Sequence, residues 1–222
     1  MDTNKISVYC MPGLAASSLI FERIMLPESL FEIHLLDWEL PIGEESLQAY
    51  AQRMSKKITA PNPVLIGVSF GGILVQEMAA FLNPMKVIII SSVKSNVEFP
   101  RRMKIAKTTK AYKLIPTSIF SNIEKLSAFS FGTTIAQRLK LYDMYLSVRD
   151  VHYLDWAIER ILLWDRTQVD SKVVHIHGDA DEVFPIQYIK DCIIVKGGTH
   201  VMILSKYKWL NENLPAIIQG TF

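Results

Sequence analysis

Apolar positions along the chain fall into short β-branched runs that alternate with longer stretches of helical period. That alternation marks β–α–β units and a parallel sheet. Residues 6–10 form a first predicted strand, stopped by Pro12-Gly13. Ser17 or Ser18 then stands where it can cap a helix through about Met25. Residues 32–37 read as a second strand. Between residues 44 and 58, Leu47, Tyr50, Met54 and Ile58 share one face of an amphipathic helix, which Pro61-Asn62-Pro63 ends. Residues 64–68 are the apolar run expected of a central parallel strand buried on both faces. A helix from Phe70 to about Phe81 and a fourth strand over 86–91 follow. Residues 172–177 and 192–195 are two more strands, and a helix over about 200–213 closes the sequence. The expected fold class is α/β: a mostly parallel sheet of about six strands with helices on both faces.

Between residues 98 and 153 the alternation is lost. This stretch is helical in propensity but broken by Pro100, Pro116 and Gly132. It reads as an insertion dividing a core of residues 1–97 and 154–222. Charge separates the two parts: residues 94–150 carry eleven Lys or Arg against four Asp or Glu, and the rest carries thirteen against eighteen. Arg101, Arg102, Lys104, Lys107, Lys110 and Lys113 are spaced so that several share a helix face. The insertion also holds the apolar set Phe120, Phe129, Phe131, Tyr142 and Tyr145.

The 222 residues are half apolar and 21% charged, which argues for a packed globule and against disorder. A net charge of +2 does not suggest a nucleic-acid partner. Cys10 and Cys192 are too few for a disulfide framework or a four-cysteine zinc site, and they read as buried thiols. No run approaches the ~20 apolar residues of a membrane helix. Near the amino terminus, Asp2 and Pro12-Gly13 disfavour a secretory signal. A soluble, cytoplasmic chain without membrane association is expected.

Candidate chemistry centres on Gly67-Val68-Ser69-Phe70-Gly71, a G-x-S-x-G pentapeptide followed by Gly72. Its serine falls where a fully apolar strand must turn sharply into a helix, the setting of a strained, exposed nucleophile. A serine hydroxyl is weakly nucleophilic and needs a base, itself oriented by a third group. Both are available at later strand ends: His177-Gly178-Asp179-Ala180-Asp181 after one strand, and Gly197-Gly198-Thr199-His200 after the next. Asp179 and Asp181 both qualify as the acid, Asp179 otherwise bracing the turn. His177 reads as a turn-stabilising residue, and His34 and His175 as sheet or core histidines. No metal-ligand spacing and no dinucleotide or phosphate loop occurs, so no cofactor is expected.

With these motifs in register, the chain resembles the α/β-hydrolase superfamily over nearly its whole length. The resemblance implies Ser69 as nucleophile, Asp181 as acid and His200 as base, with the insertion in the position of the family's cap. It places the oxyanion donors at the amide of Phe70 and in the turn after the first strand, here Pro12-Gly13-Leu14, with Leu14 as donor. Proline stands where the family usually has histidine, which removes a bracing side chain and keeps the amide. Asp37 matches a structural aspartate. The implied activity is cofactor-independent hydrolysis of a carboxylic ester or thioester through an acyl-enzyme. Amide or carbon–carbon cleavage on the same fold, and a non-catalytic ligand-binding module, are the competing readings. The basic insertion suggests an anionic or carrier-linked substrate, such as an acyl carrier protein.

Overall fold

The computed structural model describes residues 5–114 and 144–222. Phe120, Phe129, Phe131 and Tyr142 of the insertion lie outside the described residues. Six strands form one parallel sheet: β1 (Ile6–Met11), β2 (Phe31–Leu35), β3 (Val64–Val68), β4 (Lys86–Ile90), β5 (Val173–Gly178) and β6 (Ile193–Val195). Their order across the sheet is β2-β1-β3-β4-β5-β6. The chain first steps outward from β1 to β2, then returns to the other side of β1 and proceeds in one direction. β1 and β3 therefore flank the point where the order reverses, the place at which open α/β sheets bind their ligands, beyond the carboxyl ends of the strands.

The two-residue period of the strands sorts their side chains into two cores. Tyr9, Met11, Leu65, Val87 and Ile89 pack with α1 (Leu47–Ser55), α2 (Phe70–Met78) and α4 (Val151–Leu163). Val8, Cys10, Val64, Ile66, Ile88, Ile90 and Ile176 pack on the opposite face with residues 20–26 and with α6 (Tyr207–Gln219). The central strands β3 and β4 are buried almost throughout, which explains their runs without polar alternation. Tyr50 and Tyr153, both fully buried, anchor α1 and α4. Of residues 98–153, the structure describes 98–114, with α3 (Arg101–Thr109) and the 3₁₀ turn Ala111–Leu114, and 144–153, whose last three residues begin α4. No helix among the described residues is long and apolar enough to cross a membrane.

Two expected helices differ. The helix expected from Ser17 or Ser18 to Met25 is only a 3₁₀ turn, Ser18–Phe21, and Ser17 makes no side-chain cap bond. The Ser17 amide instead donates to Tyr145 O at 2.9 Å and the Ser18 amide to Asp37 Oδ1 at 2.9 Å, so this segment is satisfied by its neighbours instead of by a helix. At the other end, His200 lies in a turn, and the expected closing helix is two pieces, α5 (Met202–Ser205) and α6. α1 is also shorter than its periodic pattern, starting at a Ser46 cap whose hydroxyl accepts from the Ala49 amide.

Candidate active site

Ser69 sits between β3 and α2 with φ 52° and ψ −118°, outside the comfortable region for a side-chain-bearing residue. Packing on both sides holds it there. Its amide donates to Ile90 O at 3.0 Å, and its carbonyl accepts from Ser92 Oγ at 2.7 Å. The turn is possible because Gly71 has no side chain: a Cβ there would lie 2.3 Å from Pro12 O. The strand–turn–helix and the Pro12-Gly13-Leu14 turn are thus pressed backbone against backbone.

The turns after β5 and β6 meet in the same way. A Cβ on Gly178 would lie 2.1 Å from Gly198 O, and the Ala180 amide donates to that carbonyl at 3.0 Å. This crossing brings Asp181 and His200 together. His200 Nδ1 lies 2.9 Å from Asp181 Oδ2 and 3.2 Å from Oδ1, and His200 Nε2 lies 3.0 Å from Ser69 Oγ. A carboxylate only accepts, so Nδ1 carries the proton and Nε2 is left to accept from the serine hydroxyl. The ring is edged by Phe184, 5.5 Å away between centroids.

Asp181 is buried and accepts at Oδ1 from the amides of Val183 (2.8 Å) and Phe184 (2.9 Å). Burial would push its carboxyl up. The His200 imidazole, the Phe184 amide and His177 outweigh that and hold it below its ordinary value. Asp179 is placed differently: it is exposed, and its Oδ1 accepts from the Gly197 amide at 2.6 Å, bracing the turn before His200. Behind the acid lies a buried histidine pair. His177 Nε2 donates to Phe184 O at 2.8 Å, leaving Nδ1 to accept from His175 Nε2 at 3.0 Å. Burial lowers both, His175 well below the ordinary histidine value. His34 lies in β2, stacked on Tyr9 at 4.5 Å.

The oxyanion candidates lie beside the serine. A Cβ on Gly13 would be 3.3 Å from Ser69 Cβ, so the Pro12-Gly13-Leu14 turn lies against it. Among the described residues, the amides of Leu14 and Phe70 donate to no carbonyl or side chain. Sequence reasoning missed what braces this loop. Trp38 Nε1 donates to Gly13 O at 2.8 Å, and its ring stacks on Phe70 at 4.8 Å and 10°.

The basic residues of α3 divide. Arg102 Nη2 donates to Glu182 O and to Val183 O (2.8 Å), and Lys104 Nζ to Val97 O (2.9 Å). All four of Arg101, Arg102, Lys104 and Lys110 are exposed, and Lys107 is half-buried on the same helix. A separate cleft of about 310 Å³ lies between α4 and residues 112–113, lined by Glu44, Tyr112, His152, Trp156 and Glu159 among others; Ser69, Asp181 and His200 do not line it. Among the described residues, no three His, Cys, Asp or Glu side chains converge as metal ligands would.

No protein-family model matches the chain, and no curated protein matches it by sequence. Solved structures match it by shape. It is similar to a carboxylesterase structure from the thaumarchaeon Nitrososphaera gargenis, with 15% identity, TM-score 0.71, and 100% of this chain and 93% of that one covered. An enol-lactonase from Burkholderia xenovorans LB400 matches with 12% identity, TM-score 0.69 and coverage of 97% and 92%. A bromoperoxidase from Bacillus anthracis matches with 16% identity, TM-score 0.66 and coverage of 97% and 92%. With these likenesses and its six-stranded sheet, the chain has the α/β-hydrolase fold.

Proposed function

We propose that this α/β-hydrolase-fold chain is a cofactor-independent serine hydrolase that cleaves a small carboxylic ester or thioester through an acyl-enzyme. The observation that carries the reading is the unbroken hydrogen-bonded chain from Ser69 Oγ through His200 to Asp181. In this reading Ser69 Oγ attacks the acyl carbon as His200 Nε2 takes its proton. Asp181 keeps the imidazole in the tautomer that can accept it and stabilises the imidazolium. The carbonyl oxygen gains negative charge, which the amides of Leu14 and Phe70 receive, with the amino-terminal dipole of α2 adding to the field. His200 then protonates the leaving group, and a water activated by the same nitrogen releases the acid and restores Ser69.

The names carried by similar structures, carboxylesterase and enol-lactonase, support an ester in preference to an amide. A ligand-binding module would gain nothing from a serine held in strain beside an oriented imidazole. The test is turnover of short acyl esters by wild type and Ser69→Ala. The variant is expected to lose roughly 10³–10⁶ in kcat while remaining folded, because the members of such a triad act as a unit. Ester hydrolysis near the wild-type rate in Ser69→Ala refutes the assignment.

A further inference from the structure

We propose that Arg102, on the insertion helix α3, is a positioning residue for the triad acid, acting through the two peptide groups that follow Asp181. The proposal rests on the serine-hydrolase reading above. Arg102 Nη2 donates to the carbonyls of Glu182 and Val183. The Glu182 carbonyl belongs to the same peptide group as the Val183 N–H, and the Val183 carbonyl to the same group as the Phe184 N–H. Those two N–H groups are the donors that hold Asp181 Oδ1, at 2.8 and 2.9 Å. Each peptide therefore carries a guanidinium on its oxygen and a carboxylate on its hydrogen.

A peptide group so placed is polarised in one sense, and each of its hydrogen bonds strengthens the other. Charged groups at the two ends make both bonds the stronger, charge-assisted kind. The next carbonyl, that of Phe184, is held from the sheet by His177 Nε2 at 2.8 Å. The acid loop is thus fixed from β5 on one side and from the insertion on the other. Oδ1 is tied to the backbone, and Oδ2 makes the shorter contact with His200 Nδ1, 2.9 against 3.2 Å. α3 buries none of its own side chains fully, and Arg102 ties it directly to the loop that follows Asp181. Orientation of the acid then depends on α3 staying docked.

The test uses the whole chain, comparing wild type, Arg102→Gln, Arg102→Lys and Thr108→Ala, with Arg102→Gln repeated in an Asp181→Asn background. The probe is p-nitrophenyl acetate, a neutral ester. The second readout is the low-field NMR signal of the His200 Nδ1 proton shared with Asp181. Arg102→Gln is expected to lower kcat about three- to thirtyfold, the yield of a charge-assisted bond reduced by solvent at an exposed guanidinium. KM should stay within about twofold, since the interaction orients the catalytic groups and does not bind the ester. Arg102→Lys should recover part of the loss, and Thr108→Ala, on the same helix, should show none. In the Asp181→Asn background Arg102→Gln should cost nothing further, because partners acting in one network are not additive. The low-field signal should weaken or move upfield in Arg102→Gln. An unchanged kcat with an unchanged signal, or a loss fully additive with Asp181→Asn, overturns the proposal. The NMR arm needs no turnover, so inactivity of the wild type would sink the hydrolase reading while leaving this one decided by the signal.

Discussion

Two aspartates two residues apart have unlike surroundings. Asp181 is buried, faces His200 and takes two backbone amides, whereas Asp179 is exposed and holds the Gly197 amide. Asp181→Asn keeps the shape but favours the wrong imidazole tautomer, and should cost up to about 10⁴ in kcat. Asp179→Ala, which removes the acceptor of the Gly197 amide, should instead lower stability by about 1 kcal/mol, the worth of one hydrogen bond. Steady-state kinetics at matched folded fraction decide between them, and a larger kcat loss in the Asp179 variant would transfer the role. The motif spacing left both aspartates open, because two residues along a turn are separated by how the Gly178–Gly198 crossing aims them. Trp38 was illegible for a related reason: its use depends on a carbonyl 25 positions away. The buried pair His175 and His177 makes a further prediction at this scale. Burial above all, with His177 and Lys94 acting on His175 and His200 acting on His177, disfavours the charged form of both in the folded chain, against the pull of Asp181 on His177. Their folded values are depressed, so the unfolded chain binds the extra protons. Stability should therefore fall as pH drops below about 6.5, by about 1.4 kcal/mol per pH unit for each histidine that stays neutral. Urea unfolding from pH 7.5 to 5 measures the slope. His175→Gln, which keeps a donor toward His177, should flatten it by about one proton; an identical slope in the variant would be against this account.

Elements were most legible where one period dominated. β3 and β4 fall where their apolar runs placed them, to within a residue, because a strand buried on both faces leaves no other pattern. Residues 17–25 were misread because Ser17 and Ser18 offer caps that no helix uses; Tyr145 and Asp37, distant in sequence, take their amides. α3 carries the basic face, and the use of Arg102 and Lys104 on backbone carbonyls narrows what can read substrate charge. We propose that Arg101 and Lys107 attract an anionic or carrier-linked acyl substrate. Screening shrinks the Debye length from about 10 Å at 0.1 M salt to about 3 Å at 1 M. KM for a coenzyme A thioester should then rise steeply with salt, while KM for a neutral ester stays flat. Arg101→Glu with Lys107→Glu should reproduce the high-salt behaviour at low salt. Equal salt dependence of the two substrates would reduce these charges to solubility.

The whole molecule brings to one rim what the chain scatters between Gly13 and His200. The loops after β1, β3, β5 and β6 all leave the carboxyl edge of the sheet, where Gly13, Ser69, Asp181 and His200 meet. Local pattern foretold parallel strands but not their order, since pairing joins segments such as Val8 with Val64 and Ile90 with Ile176. Among the described residues, the stretch over 98–153 is bonded both to the loop that carries Asp181 and to residues 15–17. Arg102 holds the loop after Asp181, and residues 145–148 bond the segment that follows Leu14: the Ser17 amide donates to Tyr145 O and the Val148 amide to Ala15 O at 3.0 Å. In the proposed mechanism the serine's reactivity depends on the whole rim, so the most direct measurement is covalent. Wild type treated with a fluorophosphonate at neutral pH should gain one phosphonyl group, mapped by mass spectrometry to the peptide containing Ser69. Asp181→Asn should label far more slowly and Ser69→Ala not at all. A label on another residue, or none on a folded wild-type chain, would contradict the account.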